Sequence, residues 1–306
     1  MSILEPTVEN IRAAADAIRS GKLVVIPTET VYGLAADATN PAAVRAIFAA
    51  KGRPAENPLI VHIAEMKWLD QLVAEVPDYA RQLAGTFWPG PLTLVLKKLP
   101  HVLSEVTAGL DSVAVRMPSN EVALEIIIQA GVPVAAPSAN IFMAVSPTRA
   151  EHIGAEITSA AAMIINGGTT LHGLESTVVD CLGEQPKILR PGGISRAQIE
   201  EVLGRQLGDA SGDRRSPGQY PRHYAPKARV RIVDRLGPDQ AGLTFEEPLN
   251  PDQVRMDPDF PRAYGAYLYE AFHFFDERGI VEICIQKPPD TPEWEAVWDR
   301  LRKASH

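Results

Sequence analysis

Short apolar runs alternate with amphipathic stretches through the first two thirds of the chain. Leu23–Ile26, Leu59–Ile63, Thr93–Lys98, Val113–Met117, Val132–Ala136, Met163–Ile165 and Thr177–Leu182 are apolar or alternating, and several are rich in Val and Ile. Runs of that length and composition predict strands. Between them lie helices with readable ends. Asn40 followed by Pro41 predicts an N-cap and first turn, Val44, Ile47 and Phe48 an apolar face, and Gly52 a stop. Asn120 opens a helix that ends near Gly131, and Ser195 opens another through Ile199 and Val202. This alternation predicts an α/β domain whose ligand groups sit on the loops leaving the strands.

The pattern lapses after Gly208. Residues 209–226 hold three prolines and two glycines without apolar periodicity, the signature of a linker. Beyond it, Arg231–Val233 and Val281–Ile285 predict strands, Tyr267–Phe275 a helix, and Glu293–Lys303 a terminal helix with Trp294, Val297, Trp298 and Leu301 on one side. Four prolines between Pro248 and Pro261 make the middle irregular. The expected organisation is a catalytic domain over 1–208, a linker over 209–228 and a small domain over 229–306.

Charge sharpens this division. The 306 residues carry a formal net charge of −8, which argues against broad wrapping of nucleic acid. Yet 211–228 carries four basic residues and one acidic one, between two negative flanks. Such a segment is either a solvated tether or a positive strap over a bound anion. Two cysteines, Cys181 and Cys284, exclude a disulfide framework and a cysteine-rich zinc site, and fit a cytoplasmic setting. No run approaches the roughly 18 apolar residues of a membrane span.

The common phosphate and nucleophile signatures are absent: no Gly-x-x-x-x-Gly-Lys loop, no Gly-x-Gly-x-x-Gly, no Gly-x-Ser-x-Gly and no His-Glu-x-x-His. A nucleotide site must therefore be assembled from dispersed cations, hydroxyls and loop amides. Such groups recur at predicted strand mouths. Pro27–Leu34 brings Thr28, Thr30 and Tyr32, and Lys51-Gly52-Arg53-Pro54 brings two cations beside a helix end, with Asn57-Pro58 following. Lys and Arg there suit phosphate, but equally suit the negative end of the helix. Ser112–Pro118 puts Arg116 in an apolar strand, where a buried guanidinium needs an anionic partner. Pro137-Ser138-Ala139-Asn140, Ser146-Pro147-Thr148, Glu175-Ser176-Thr177 and Leu189-Arg190-Pro191-Gly192-Gly193 complete the series. Taken singly, Thr148 reads as a helix N-cap and Arg190 as part of a turn.

In this order, with Ser216-Pro217-Gly218 and His223-Tyr224-Ala225-Pro226, these segments resemble the long-form YrdC-like family that makes threonylcarbamoyl-adenylate. The resemblance covers residues 10–228, and the segments Leu268–Ala271 and Trp298–Ala304 are similar to that family's C-terminal domain. It implies a YrdC-like twisted open α/β sheet with a concave positive face, plus a small Rossmann-like C-terminal α/β domain. The implied reaction joins L-threonine, bicarbonate (or CO2) and ATP, releases pyrophosphate, and passes its product to a threonylcarbamoyl transferase acting on tRNA. Carried over by motif, Thr30, His62, Arg116, Ser138 and Ser176 would hold threonine, with Thr28 beside them. Lys51, Arg53, Asn57, Ser112, Asn140, Ser146, Thr148 and Arg190 would hold ATP, with Lys51 and Arg53 central to catalysis. His223 and Tyr224 would fold over the nucleotide as a lid. Mg2+ would ride on the phosphates rather than in a carboxylate cage.

One departure stands out. Where the family usually has glycine, three residues after Asn140, this chain has Met143; a glycine needed for positive φ would make Met143 strained. Two other activities remain open on sequence: the same carbamoyl chemistry on a different amine or acceptor, and an RNA-binding or ribosome-associated module, which the acidic charge and lack of interleaved aromatics disfavour, leaving room for a weak RNA contact only.

Overall fold

The computed structural model describes residues 2–209, 218 and 220–306. Eleven strands form one large mixed sheet: β1 (Ile3–Leu4), β2 (Val24–Ile26), β3 (Gly33–Asp37), β4 (Ile60–His62), β5 (Leu92–Lys97), β6 (Ser112–Arg116), β7 (Val134–Ala135), β8 (Met163–Ile165), β9 (Thr177–Asp180), β10 (Lys187–Arg190) and β11 (Gly208–Asp209). Their spatial order is β1-β8-β2-β3-β7-β4-β6-β5-β9-β10-β11. The helices between them are α1 (Val8–Arg19), α2 (Pro41–Lys51), α3 (Asp78–Phe87), α4 (Ser104–Thr107), α5 (Glu121–Ala130), α6 (Ala155–Ala160) and α7 (Arg196–Leu203).

The helix ends follow local chemistry. The Asn40 side chain accepts from the Ala42 and Ala43 amides, Pro41 occupies the first turn, and Gly52 closes α2 at φ 58°. Asn120 caps α5, which ends at Gly131 with φ 68°. Ser195 and Gln198 make a reciprocal capping box on α7. These stops matter for the site, because Gly52 turns the chain so that Arg53 leaves α2 at the sheet's mouth.

Alternation assigns the two faces of the central strands. Val61, Val113, Val115, Leu92, Leu94 and Leu96 point into the main core under the helices. Ile60, Ala114, Val95 and Val178 form a small cluster on the opposite face. On that second face Ile60 pairs with Ala114 and His62 with Arg116, in parallel register.

The C-terminal unit has a four-stranded parallel sheet, ordered β12 (Arg229–Val233), β15 (Glu282–Gln286), β13 (Gly242–Thr244), β14 (Gln253–Arg255). It carries α8 (Pro261–Glu277) and α9 (Glu295–Ala304). The short strand β14 falls in the segment that its prolines mark as irregular, and β13 lies just before it. Its core is continuous with the first unit: Val31, Val145, Leu174, Tyr224 and Ala228 pack with Tyr264, Leu268, Tyr269, Val297 and Leu301. At Gly173, with φ 63°, an added Cβ would lie 2.2 Å from the Ala266 carbonyl oxygen, so α8 presses directly on that loop.

Of the two readings of the connector, the solvated tether does not fit the part that is described. Gly208 and Asp209 belong to β11, paired with β10, so the sheet runs past the expected boundary. Ser216 and Pro217 lie outside the described residues. His223, Tyr224 and Ala228 are buried, and the Ala225 amide donates to the Met143 carbonyl at 3.0 Å. This part is packed structure, not a solvated strand. Met143 has φ 72°, the left-handed conformation that glycine takes without cost and other residues take at about 1–2 kcal/mol. Among the described residues no helix is long and apolar enough to cross a membrane.

Candidate active site

Residues on the second face of β4 and β6 converge with five loop segments and the end of β10 on one cavity. Its walls include Thr30 from the β2–β3 turn, Arg53 after α2, His62, Arg116, Ser138 after β7, Glu175 and Ser176 before β9, Arg190 at the end of β10, and His223 with Tyr224. Thr28 does not line the cavity. Its hydroxyl bonds Thr30 Oγ1 at 2.9 Å and donates to the Val31 carbonyl at 2.6 Å, fixing the turn that presents Thr30.

Arg116 is 4% exposed and its partners are all defined. Nε donates to the Gly90 carbonyl, Nη1 to Thr30 Oγ1 at 3.0 Å, and Nη2 lies 2.6 Å from Glu29 Oε1. Glu29 is thus the anionic partner that a buried strand arginine requires. Its two oxygens and Arg116 Nη2 make no aligned hydrogen bond.

The cations divide by role. Lys51 is almost fully buried and lies outside the cavity lining; Nζ donates to the Ser138 carbonyl at 2.5 Å and to the Asn140 carbonyl. Burial, and then the neighbouring Arg53, push its pKa well below the usual lysine range. The Lys51 carbonyl also accepts from the Phe142 amide, so Lys51 holds the whole 138–142 loop. Arg53 donates Nε to the Asn57 carbonyl at 3.1 Å and Nη2 to the Pro58 carbonyl at 2.7 Å. Arg190 donates to the Ser176 carbonyl and hydroxyl, and Ser176 Oγ bonds Thr93 Oγ1 at 2.8 Å.

Ser112 lies outside the cavity lining but on the same strand face as Arg116, four residues and about 13 Å away. Among the described residues, Ser112 Oγ, Asn57 Nδ2 and Asn140 Oδ1 are buried without a hydrogen-bond partner, as are His62 Nδ1, His223 Nδ1 and the Tyr224 hydroxyl. Buried polar atoms are ordinarily satisfied, so this cluster marks a surface shaped for a polar ligand. Ser146 and Thr148 are also outside the lining. Ser146 Oγ donates to Glu175 Oε1 at 2.6 Å, and Thr148 Oγ1 to Glu270 Oε2 of α8 at 3.1 Å. Nor does Thr148 cap a helix: the following 150–152 turn begins at Arg149, without a side-chain cap.

Glu175, Glu29 and Arg300 are the charged groups that strand-mouth reasoning did not assign. Glu175 Oε2 accepts from Arg300 Nε at 2.9 Å and from the Tyr269 hydroxyl at 3.1 Å. Burial alone would raise its pKa, but Arg300 and Arg190 hold it down at about 2. Tyr224 takes φ 58° and meets the His223 ring edge-on, with ring centroids 4.0 Å apart. Phe142 meets His223 edge-on at 5.8 Å.

Desolvation, before any neighbouring charge, lowers His62, His152 and His223 from 6.5 to about 3. His152 also stacks on His273 with ring centroids 3.9 Å apart. The folded protein keeps these rings neutral while the unfolded chain protonates near 6.5, so stability falls as pH drops through that value toward 3. The melting temperature is therefore expected to be lower at about pH 5 than at about pH 7; a flat profile across that interval would contradict the buried neutral rings.

Comparison with known proteins sets the chain within a family. The Sua5/YciO/YrdC family model, described as Telomere recombination, matches residues 16–192. The threonylcarbamoyl-AMP synthase C-terminal domain model matches 194–306. The chain belongs to the threonylcarbamoyl-AMP synthase family. Threonylcarbamoyl-AMP synthase of Pyrococcus abyssi is 42% identical over 96% of this chain and 94% of its own length. That of Bacillus subtilis is 41% identical over 96% of this chain and 92% of its own. The structure of P. abyssi Sua5 complexed with L-threonine superimposes with a TM-score of 0.92 at 40% identity, covering 100% of this chain and 98% of that one. The family's YrdC-like α/β sheet and smaller C-terminal α/β unit are the architecture seen here.

Proposed function

We propose that this protein is an L-threonylcarbamoyladenylate synthase, a nucleotidyltransferase. It would condense L-threonine, bicarbonate or CO2, and ATP to threonylcarbamoyl-AMP and pyrophosphate, supplying a threonylcarbamoyl transferase that modifies tRNA. The observation that carries this reading is the convergence on one strand face of Arg116 with unpartnered buried donors and acceptors, flanked by Arg53 and Arg190. Threonine belongs at the Arg116 end, with its carboxylate on the guanidinium and Thr30, His62, Ser138 and Ser176 around it. ATP belongs toward Ser112, with Arg53, Arg190, Asn57, Asn140, Ser146 and Thr148 along its length. Lys51 acts by shaping the Ser138–Asn140 loop.

The chemistry asks for alignment and dryness more than for a nucleophilic side chain. Threonine amine captures CO2 as a carbamate, whose oxygen attacks the α-phosphorus while pyrophosphate leaves. Holding both partners on one rigid strand face provides proximity, on the order of 7 kcal/mol of barrier. Enclosure protects the labile carbamate and mixed anhydride from water. Mg2+ fits as a companion of the phosphates, which it would neutralise: the described residues hold no cluster of three or more His, Cys, Asp or Glu able to grip a metal, and Glu29 and Glu175 are engaged by arginines.

The cavity measures about 40 Å³, far below the roughly 300 Å³ of a small ligand pocket. His223 and Tyr224 form part of its wall, so the 220–228 part of the connector acts as a lid that withdraws to admit ATP and closes over it. The catalytic body is then 1–208, with 229–306 supporting the lid. Incubation with ATP, bicarbonate and labelled threonine should yield a threonine-containing adenylate that disappears when bicarbonate is omitted. Pyrophosphate release independent of threonine would contradict the proposal.

A further inference from the structure

We infer that Arg300, on the last helix of the C-terminal unit, is a positioning residue of the cleft, setting the relative places of Glu175, Pro191 and Tyr224 so that the lid seats over the nucleotide end. This rests on the function proposed above, and its test is chosen to fail separately from it.

Arg300 occupies a position that helix packing alone would give to an apolar residue. Val297, Leu301 and Ala304 are buried around it on α9, and Arg300 itself is 0% exposed. A guanidinium taken wholly out of water must be compensated by well-placed partners. Here they come from three separate segments of the chain. Nε donates to Glu175 Oε2, 125 residues away in sequence, at 2.9 Å. Nη1 donates to the Pro191 carbonyl at 3.1 Å, and also to the adjacent Asp299. The guanidinium carbon lies 4.7 Å from the Tyr224 ring centre, in cation–π contact.

The partners outside α9 border the cavity. Glu175 and Tyr224 line it, and Pro191 directly follows Arg190, which also lines it. Glu175 passes the constraint on to Ser146 and Tyr269 through its remaining bonds. The same helix also holds the lid backbone, since the His223 amide donates to the Lys303 carbonyl at 3.2 Å. A Leu or Met at 300 would complete the apolar stripe but could tie none of these segments together.

The test is Arg300→Met in the full chain, with the Glu175→Gln/Arg300→Met double variant, which removes the stranded carboxylate. Amide hydrogen exchange without ligand is the first readout. Exchange of the 222–225 amides should accelerate about tenfold or more in both variants, while β5 and β6 keep wild-type protection. The second readout is steady-state kinetics: KM for ATP should rise about tenfold and KM for threonine stay within about twofold in both. Unchanged exchange at 222–225 overturns the inference. So does a double variant whose exchange and ATP KM both return to wild-type values, since Arg300 would then do no more than neutralise Glu175. If the lid exchanges faster but wild-type protein makes no adenylate, the proposed function fails and the positioning role stands.

Discussion

Arg116→Ala is expected to abolish most threonine-dependent turnover and to weaken the fold. Losing a charge-assisted carboxylate contact of about 3 kcal/mol corresponds to roughly a hundredfold in kcat/KM for threonine. The fold suffers for a separate reason. Glu29 is 2% exposed, and its one charged partner among the described contacts is Arg116, so the variant strands a buried carboxylate. Breaking such a pair costs about 3–5 kcal/mol. Arg116→Lys is the informative companion. It keeps a charge for Glu29 but cannot also reach Gly90 and Thr30 with a planar fork. Denaturant midpoints should recover in Arg116→Lys while threonine KM stays raised. Wild-type threonine KM in either variant would remove Arg116 from the amino-acid end.

Gly192→Ala should be nearly as damaging, through backbone geometry alone. An added Cβ would sit 2.3 Å from the Glu175 carbonyl oxygen and 2.5 Å from both Ser176 C and Thr177 N. No rotamer relieves a clash with main-chain atoms, so the Pro191–Gly193 loop and the Glu175–Thr177 segment must separate. Overpacking of this kind costs about 1–3 kcal/mol. A shift near 1 Å at Ser176 is enough for roughly a hundredfold loss of rate. Gly183→Ala is the control, because its Cβ would meet nothing within 4 Å. Thermal melting and pyrophosphate release measured on both variants separate the cases. A Gly192→Ala protein with wild-type melting and rate would show that this close approach is not needed.

Much of this was legible where local chemistry decides the outcome. Asn40, Pro41 and Gly52 bound α2, and Asn120, Ser195 and Gly131 act as their types suggest. The apolar runs located the central strands to within a residue or two, because those strands are buried on pattern. Strands β13 and β14 escaped because three-residue parallel strands are held by their neighbours rather than by their own sequence. Proline at 137 and hydroxyls at 138 and 176 marked true cavity walls. Side-chain direction was not readable: Lys51 and Arg53 are two residues apart, yet one turns to loop carbonyls and the other into the cavity. Thr148 likewise points its hydroxyl at Glu270 of a helix more than a hundred residues later. Arg300 left one signal, an arginine spaced three after Val297 on an otherwise apolar stripe. A charged residue in such a stripe marks a partner that only the fold can name. At Met143 the missing glycine signals a conformational problem, and the positive φ shows that the chain adopts the glycine geometry regardless.

The central claim is that one strand face serves two substrates, with the amino acid at Arg116 and the triphosphate toward Ser112. A crystal structure of the protein with L-threonine and a non-hydrolysable ATP analogue tests it most directly. The account predicts the threonine carboxylate on Arg116, phosphate oxygens between Arg53 and Arg190, and Tyr224 closed against the nucleotide. A threonine carboxylate bound away from Arg116, or a nucleotide bound outside the β4–β6 face, would contradict it.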